Sequence, residues 1–312
     1  HFIMYEPDNN KPEDSLRKTV VRILYDNDAI YFGAVMYDDP KTILREIALR
    51  DNFVTADHFG VFINGYNDGQ QDFRFFVSAA GTQGDCLATT DNEDYSWDAI
   101  WYSAVKITDF GWVAEMKIPY AALRFPESPV QKWGLNIYRE IRKFRQKLTW
   151  NLIDRNIGSA IVQNGLLEGI HDIKPPTRLF FIPYTSYYYN SNDLGTSSTV
   201  KGGMDIKYGI NDSFTLDAIL VPDFGQTAFD NVVLNLGPFE QQFNENRPFF
   251  TEGTDMFNKA GLLYTRRIGG APSTYPVTGE NEEVTNYPGK TDLLNALKIS
   301  GRTKGEIGRA HV

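Results

Sequence analysis

Short apolar stretches separated by turn residues recur through the first half of the chain, and they constrain the fold more than any other feature. Residues 19–25 are followed by the turn Asp26-Asn27-Asp28 and by a second apolar stretch, residues 29–37. Short strands at regular spacing with few helices are typical of a sandwich or barrel, and we predict a β-sandwich of the immunoglobulin-like or jelly-roll type. Further strands are predicted at residues 59–63, 72–78, 99–107, 111–118, 134–141, 148–152 and 166–173. Only residues 41–50, after Asp39-Pro40, are predicted to form a helix.

Composition excludes several classes of protein. A length of 312 residues suggests two domains, and 42% hydrophobic residues with 14% aromatic residues are enough for a packed core. The net charge of −9 argues against nucleic acid as a partner. The single cysteine, Cys86, permits no internal disulfide. The sequence has no run of about 18 apolar residues, so it predicts no transmembrane helix.

A different pattern of strands begins after Pro175-Pro176. An aromatic-rich stretch, 178–189, leads to a polar stretch, 190–200, for which we predict a loop. Alternating apolar and polar side chains then predict strands at residues 203–210, 214–221 and 293–303. Outer-membrane barrels alternate in this way, but a soluble second sheet would do the same. Since a barrel needs about eight strands, we expect the chain to end before such a domain is complete.

Four motifs of the first half resemble the family 9 carbohydrate-binding modules, and they follow that family's order. They are LYDNDAIYFGAVMYDDP at residues 24–40, DHFGVFIN beginning at Asp57, WVAEMKIP at 112–119, and WGLNI at 133–137, which contains Asn136. The resemblance covers residues 2–173 and implies a sandwich domain over residues 1–174 whose first strand is missing. It also implies glycan binding and a role in carbohydrate catabolism.

The sugar contacts of that family do not carry over to this sequence. Aligned on Asp57, the family's first stacking tryptophan falls at Val54 and its glutamate at Gly60. Aligned on the next strand, its arginine and asparagine fall at Phe76 and Ser78, and its second tryptophan, near residues 157–159, is unmatched. A sugar needs a flat aromatic face and fixed polar groups for its hydroxyls. The resemblance therefore predicts the fold and leaves any sugar site to other residues.

Two other groups of residues are candidates for binding. Trp97 and Trp101, with Asp98 between them, follow the acidic stretch 91–94 and form a candidate glycan or calcium surface. The alternative, which we favour, places Trp101 in the core and Trp97 at a strand end. Asp57, Asp68 and Asp72 are candidate oxygen ligands for Ca²⁺, with turn-forming or solvated carboxylates as the alternative. The basic stretch 139–147 is predicted to be a solvated edge strand.

Residues 214–253 join an alternating strand to a long aromatic connection that ends in NRPFFTEG. With the later YTRRIG at 264–269, this stretch resembles a family of unknown function in Gram-negative outer membranes, in which a β-barrel follows such a sandwich. The resemblance implies an outer-membrane location, lipid as a partner and a barrel with a plug segment over residues 175–306. Its motif residues here are Asp57, Asn136, Arg247, Pro248, Phe249, Glu252, Gly253, Arg266 and Arg267. We predict that Arg247 pairs with a carboxylate, the candidates being Glu240, Glu245 and Glu252.

Catalysis finds little support in the sequence. It contains no nucleophile elbow, HExxH motif or phosphate loop, and only His58 and His171 lie away from the chain ends. Sandwiches of this class are often associated with glycan-degrading enzymes, so O-glycosyl hydrolase activity is implied for the class alone. We predict a non-catalytic, glycan-binding surface protein. The alternatives are a glycoside hydrolase or its accessory domain, and a plug or docking module without sugar affinity.

The two ends of the chain indicate a fragment. The chain opens at His1 without an initiator methionine and closes with EIGRAHV at residues 306–312. Those letters match a common sequencing-adapter sequence in one reading frame. We therefore interpret residues 307–312 as read-through from a library fragment.

Overall fold

The computed structural model describes most of the chain. The described residues are 1–53, 55–90, 92–192, 195–211, 214–223, 242–243, 245, 247–251, 263–270, 272, 274, 276–279, 282–284, 287, 291–303 and 306–311, with the backbone alone at 190, 192, 248, 302–303 and 306–311. The chain divides into two compact units, His1–Thr177 and Arg178–Val312. No helix within the described ranges is long and apolar enough to cross a membrane.

Eighteen strands, one short α-helix and six 3₁₀ turns make up the regular structure of the described residues. In the first unit the strands are β1 (Ile3–Glu6), β2 (Lys11–Pro12), β3 (Thr19–Tyr25), β4 (Ala29–Tyr37), β5 (His58–Asn64), β6 (Asp72–Ser78), β7 (Gln83–Ala88), β8 (Glu93–Asp94), β9 (Tyr102–Thr108), β10 (Gly111–Pro119), β11 (Val130–Ile141), β12 (Gln146–Thr149) and β13 (Gly165–His171). In the second unit they are β14 (Leu179–Asn192), β15 (Gly195–Gly209), β16 (Phe214–Leu220), β17 (Asn295–Thr303) and β18 (Glu306–His311), with α1 at Pro248–Thr251.

The first unit is an antiparallel β-sandwich, so the predicted all-β fold is confirmed. Its large sheet has the order β2-β1-β12-β11-β5-β6-β7-β8, with β13 also paired to β11. Its small sheet has the order β3-β4-β10-β9. The central strands of the small sheet alternate over most of their length. On β4, Ile30, Phe32 and Met36 are buried in the core, whereas the intervening residues Tyr31, Gly33 and Val35 are only partly buried. This period of two is the pattern of a sheet with one buried face.

The large sheet is buried on both faces at its centre. All seven residues of β5 and all seven of β6 are buried. One face packs on the small sheet through Phe59, Val61 and Phe75. The opposite face, which we call the outer face, carries a second apolar cluster of Phe53, Phe62, Phe76, Cys86 and Tyr138. These two strands therefore lie between two layers of packed side chains.

The predicted helix at residues 41–50 is wrong. Only a single 3₁₀ turn forms, Pro40–Thr42, and Asp39 caps it by accepting a hydrogen bond from the Lys41 N–H at 3.0 Å. The chain then runs without regular structure, because its backbone is used in tertiary contacts. The Leu44 carbonyl, for example, accepts a hydrogen bond from the Asp57 N–H at 2.8 Å. Tertiary hydrogen bonds therefore outweigh the helix propensity of this stretch, which is a small contribution beside tertiary contacts.

The predicted solvated edge strand at 139–147 is also wrong. Arg139 lies on β11, between β5 and β12, and is 1% exposed. Its guanidinium donates to the Arg17 carbonyl at 2.7 Å, to the Thr19 hydroxyl at 3.0 Å and to the Tyr37 carbonyl at 3.0 Å. Buried cations persist when their donors are satisfied in this way. Arg139 therefore connects β11 to the start of β3 and to the end of β4.

The second unit contains one antiparallel sheet in the order β14-β15-β16-β17-β18. The predicted loop at residues 190–200 is wrong. β14 and β15 stay paired up to Asn192 and Gly195. A ladder needs only backbone groups, so polar side chains do not interrupt it. The fifth strand, β18, pairs with β17 through its backbone, and all of its residues after Glu306 belong to the stretch interpreted as read-through.

Candidate functional site

A cleft of about 440 Å³ opens in the first unit where the edge strand β9 approaches the start of β7. It is lined by Ala48, Arg50, Gly81, Thr82, Gln83, Trp101, Tyr102 and Ser103. We call it the Arg50 cleft. Its lining combines two aromatic residues with an arginine, an amide and two hydroxyls, which is a set of groups suited to a polar ligand with an apolar face.

Arg50 is held in place by four acceptors. Its Nε donates to Asp98 at 3.1 Å, its Nη1 donates to the Gln83 side chain at 3.0 Å, and its Nη2 donates to the Ala99 carbonyl at 3.1 Å. Its Nη2 also donates to Asp85. The planar guanidinium presents these donors in a fixed geometry. Arg50 therefore has a single defined position beside the cleft.

Asp85 lies beneath the cleft and organises it. Its side chain is fully buried and accepts hydrogen bonds from the Ala99 N–H at 2.6 Å and from the Trp101 Nε1 at 3.3 Å, besides that from Arg50. Burial raises the pKa of this carboxyl to about 6, although the Ala99 N–H and the Arg50 charge oppose the rise. Asp85 thus fixes both Arg50 and the ring of Trp101.

Polar and aromatic groups of β7 and β9 complete the lining. The Gln83 Nε2 donates to the Trp101 carbonyl at 3.3 Å and to the Ser103 hydroxyl at 3.0 Å. The Thr82 hydroxyl lies 3.4 Å from the Ala48 carbonyl. Tyr102 faces the other way from Ser103 on β9, and 58% of it is exposed. The cleft therefore has fixed polar groups, and the exposed residue Tyr102 lies at its edge.

The predicted group of Trp97, Asp98 and Trp101 is brought together only in part. Asp98 does not line the cleft itself but accepts a hydrogen bond from Arg50, which does. Trp101 lines the cleft and is 4% exposed. The ring of Trp97 instead packs edge-on against Phe73, with centroids 5.3 Å apart. Trp101 belongs to the core and Trp97 packs against it, as the favoured alternative states. Sequence reasoning missed Arg50 and the residues of β7 and β9, which no local motif connects.

Gly60, Phe76 and Ser78, three of the positions that correspond to the family's sugar contacts, lie on the closed outer face. A Cβ at Gly60 would lie 2.7 Å from the Phe76 ring, so that ring fills the space above Gly60. Phe53 stacks on Phe76 with centroids 4.9 Å apart and planes at 26°. Ser78 is fully buried, and its hydroxyl accepts from the Thr82 N–H at 3.0 Å. Val54 lies outside the described residues. Aromatic packing therefore occupies this face.

The three aspartates proposed as calcium ligands do not form one site. Since His58 pairs with Ser78 and Ile63 pairs with Phe73, Asp57 and Asp72 lie at opposite ends of the β5–β6 hairpin. Asp57 accepts from the Arg142 N–H at 2.9 Å, and Asp72 accepts from the Asn164 amide at 2.8 Å. Asp68 accepts from the Asn64 amide at 3.2 Å. The described part of the chain contains no group of three or more His, Cys, Asp or Glu side chains placed to hold a metal ion.

The motif residue Asn136 and the histidine His58 both have structural partners in the first unit. Asn136 is fully buried on β11, and its side chain exchanges hydrogen bonds with the backbone of Asn151 at 3.0 and 3.1 Å. Of the two histidines, His171 is exposed whereas His58 is 3% exposed, with Nε2 3.4 Å from Glu140. Burial lowers the pKa of His58. His58 therefore occupies a packed position on the outer face.

In the second unit, Arg247 connects two segments. Its guanidinium pairs with Glu245 at 2.7 Å, which confirms the predicted pairing with a carboxylate. It also donates to the carbonyls of Thr265 at 2.8 Å and Ile268 at 2.6 Å, next to the motif residues Arg266 and Arg267. Pro248 and Phe249 form the start of α1. Glu240, Glu252 and Gly253 lie outside the described residues.

The two faces of the second unit's sheet differ in composition and in burial. One face is apolar and exposed, including Phe181 at 57%, Val200 at 71% and Leu297 at 40%. The opposite face carries Asp217 and Lys298, which are 5% and 2% exposed and lie 3.6 Å apart. Lys298 also donates to the Phe249 carbonyl at 3.1 Å, so the segment around α1 covers the charged face. The burial is the reverse of that expected for a sheet in water.

One family model and several solved structures are similar to parts of this chain. The model of a family described as DUF5916, a domain of unknown function, matches residues 175–310. Two solved structures similar to the chain are described as a carbohydrate binding module family 9 from Caldicellulosiruptor kristjanssonii. The complex with cellotriose has 13% identity and a TM-score of 0.39 over 52% of this chain and 84% of that one. The complex with glucose has 15% identity and a TM-score of 0.39 over 53% and 83%.

At a TM-score of 0.39, neither structure carries information about the ligand of this chain. No curated protein sequence matches the chain.

Proposed function

We propose that this chain is part of a glycan-binding protein of the outer membrane, whose first unit binds a saccharide in the Arg50 cleft. The observation that carries the proposal is a pair of polar side chains, Arg50 and Gln83, whose positions are already fixed, in a cleft with the exposed residue Tyr102 at its edge. A saccharide presents an apolar C–H face to an aromatic ring, and its hydroxyls must regain the hydrogen bonds that they lose from water. The cleft volume of about 440 Å³ lies in the range of small-ligand sites.

Pre-organisation of the polar groups supports this proposal. Asp85 and Asp98 fix Arg50, while the Trp101 carbonyl and the Ser103 hydroxyl fix Gln83. Because these side chains are ordered before a ligand arrives, binding costs less conformational entropy. A saccharide hydroxyl can accept from Arg50 or donate to a hydroxyl oxygen of the lining. The same groups without a fixed geometry would select ligands much less well.

Titration calorimetry of the first unit, residues 1–177, against soluble oligosaccharides tests this function. Tyr102→Ala should weaken binding about tenfold, the equivalent of about 1.4 kcal/mol for one lost stacking contact. Phe110→Ala removes another half-exposed ring and is the matched control, for which we expect unchanged affinity.

Three other outcomes are informative. Absence of binding from a folded protein would contradict the proposal and leave a docking role. Turnover of the oligosaccharide would favour the glycoside hydrolase alternative. A requirement for Ca²⁺ would show that a metal takes part, which the placement of Asp57, Asp68 and Asp72 does not support.

The second unit supports the membrane part of the proposal. Its sheet exposes an apolar face and covers a charged one, as strands of an outer-membrane barrel do when they face lipid outside and a polar lumen inside. The apolar face extends from the Leu179–Tyr208 pair to the Tyr187–Val200 pair. The nine residues of β14 in this stretch are separated by eight steps of about 3.3 Å, which span about 20 Å when tilted by about 40° and are comparable to the apolar band of such barrels. Tyr208 and Tyr187 lie near the two borders of this band, where barrels carry aromatic residues.

A pair of matched substitutions tests membrane insertion. Phe181→Lys places a charge on the apolar face and should cost about 2–4 kcal/mol of folding free energy in lipid or detergent. Ser186→Lys, on the opposite face of the same strand, is the control and should cost much less. The measurement is heat-modifiable gel mobility of the full-length protein during denaturation in lipid vesicles. Equal effects of the two substitutions, or a protein that remains soluble without detergent, would contradict the membrane assignment.

A further inference from the structure

The two ends of the second unit's sheet are built differently. At one end, β14, β15 and β16 are level, because Tyr208 pairs with both Leu179 and Leu216. Only residues 210–213 connect β15 to β16 there. At the other end, β16 finishes at Leu220, which pairs with Met204, while the β14–β15 ladder continues to the Asn192–Gly195 pair. One end is therefore level with a short turn, and the other carries a projecting hairpin.

The projecting hairpin has the composition of a segment in water. Beyond the Tyr187–Val200 pair most of its residues are small or polar, including Ser191, Thr196 and Ser197, and the exceptions in the sequence are Tyr188, Tyr189 and Leu194. The connection from β16 to β17, residues 221–294, leaves the sheet at this same end. Outer-membrane barrels have short turns on the periplasmic side and longer loops on the extracellular side. The hairpin end thus has the features of the extracellular side.

The connection between the units is too short to change sides. β13 ends at His171 and β14 begins at Leu179, which leaves residues 172–178 between them. Seven residues span about 25 Å when fully extended, which is no more than the thickness of the hydrocarbon layer. The chain before β14 must therefore remain on the side of the membrane at which β14 begins.

We infer that the first unit lies on the periplasmic side, so that the Arg50 cleft takes soluble oligosaccharides of a few units that have crossed the outer membrane. This inference rests on the proposed membrane and saccharide-binding functions. A cleft on the periplasmic side does not meet extracellular polymers directly. Its ligand class is therefore limited by size, in addition to the chemistry of the lining.

Labelling of single cysteines in intact cells that produce the full-length protein tests the inference. Ser197→Cys reports on the projecting hairpin, and Lys106→Cys reports on an exposed position of β9 in the first unit. The native Cys86 is buried, so the unsubstituted protein is the unlabelled control. With a membrane-impermeant maleimide we expect Ser197→Cys to react in intact cells. Lys106→Cys should react only after the outer membrane is permeabilised, with labelling rising at least about tenfold.

Each other outcome has a separate meaning. Reaction of Lys106→Cys in intact cells, with or without reaction of Ser197→Cys, would overturn the inference. Recovery of the protein outside the outer-membrane fraction would instead contradict the proposed membrane location, whatever the labelling pattern. If the topology holds, binding of a labelled oligosaccharide by the original protein and by the Tyr102→Ala variant can be compared in the same cells. Preferential binding of an intact extracellular polymer would exclude soluble oligosaccharides as the ligand class.

Discussion

Replacement of Asp57 by asparagine should stabilise the first unit at neutral pH, and the effect should depend on pH. Asp57 is 1% exposed, and its Oδ2 has no hydrogen-bond partner within the described residues. Burial raises the pKa of Asp57 from its ordinary value of 3.8 to about 6, although the Arg142 N–H and the Arg139 charge oppose the rise. Because the folded state holds this proton more tightly, the contribution of Asp57 to stability is greatest below about pH 4 and is lost as the pH rises through 6.

The size of the effect follows from the two pKa values. At 1.36 kcal/mol per pKa unit, the ionised carboxylate costs the folded state about 3 kcal/mol at pH 7.5 and about 1 kcal/mol at pH 4.5. The buried amide nitrogen of the Asp57→Asn variant offsets part of this gain at both pH values by about 1–2 kcal/mol. The difference between the two pH values does not contain that offset. We therefore expect the variant to be more favourable by about 2 kcal/mol at pH 7.5 than at pH 4.5, relative to the original chain.

Urea denaturation of the first unit at the two pH values measures this difference. Asp109→Asn, which removes an exposed carboxylate in the turn between β9 and β10, is the control for loss of one negative charge. An Asp57→Asn variant with the same free energy change at pH 4.5 and pH 7.5 would refute the reasoning, since it would mean that burial does not hold the proton on Asp57.

Two further substitutions test the packing of the large sheet. Phe53→Ala should destabilise the first unit by about 3–5 kcal/mol and expose the outer face, because Phe53 is 2% exposed and stacks on Phe76. Urea denaturation and binding of a hydrophobic dye measure this, and a loss below about 1 kcal/mol would mean that other residues close the face. Arg139→Met should cost about 3–5 kcal/mol, because it leaves the carbonyls of Arg17 and Tyr37 buried without their donor. Arg22→Met, at an exposed position of β3, is the matched control in the same denaturation experiment.

The sequence predicts the fold class well where strands follow the rule of alternation. β4 and β10 have one face in the core and one outside it, so a period of two is visible in their residues. β7 was missed because its sequence, QGDCLA, places Gly84 beneath the Phe53 ring and Asp85 beneath Arg50. Those neighbours are distant in the chain, so the local sequence of β7 does not predict these contacts.

The candidate site was less predictable for a related reason. Trp97, Asp98 and Trp101 are close in sequence and form a predicted group, but the polar groups that contact Asp98 and Trp101 come from other elements. Arg50 and Gln83 are 33 residues apart and meet only because residues 48–50 run beside the start of β7. The edge-strand prediction for Arg139 is wrong because a basic stretch has the composition of a solvated strand. The sequence does not show that the carbonyls of Arg17 and Tyr37 accept hydrogen bonds from the Arg139 side chain.

Closure of the outer face also limits how this sandwich can diverge. In a sheet with only one buried face, every second residue of a strand can be substituted with little effect on stability. On β5 and β6 both sets of positions are packed, so neither set has that freedom. A descendant that reopened the face would have to replace Phe53, Phe62 and Phe76 together, since loss of one ring leaves a cavity walled by the other two. Evolution between an open and a closed outer face therefore requires several coordinated substitutions, because each single substitution alone lowers the stability of the fold.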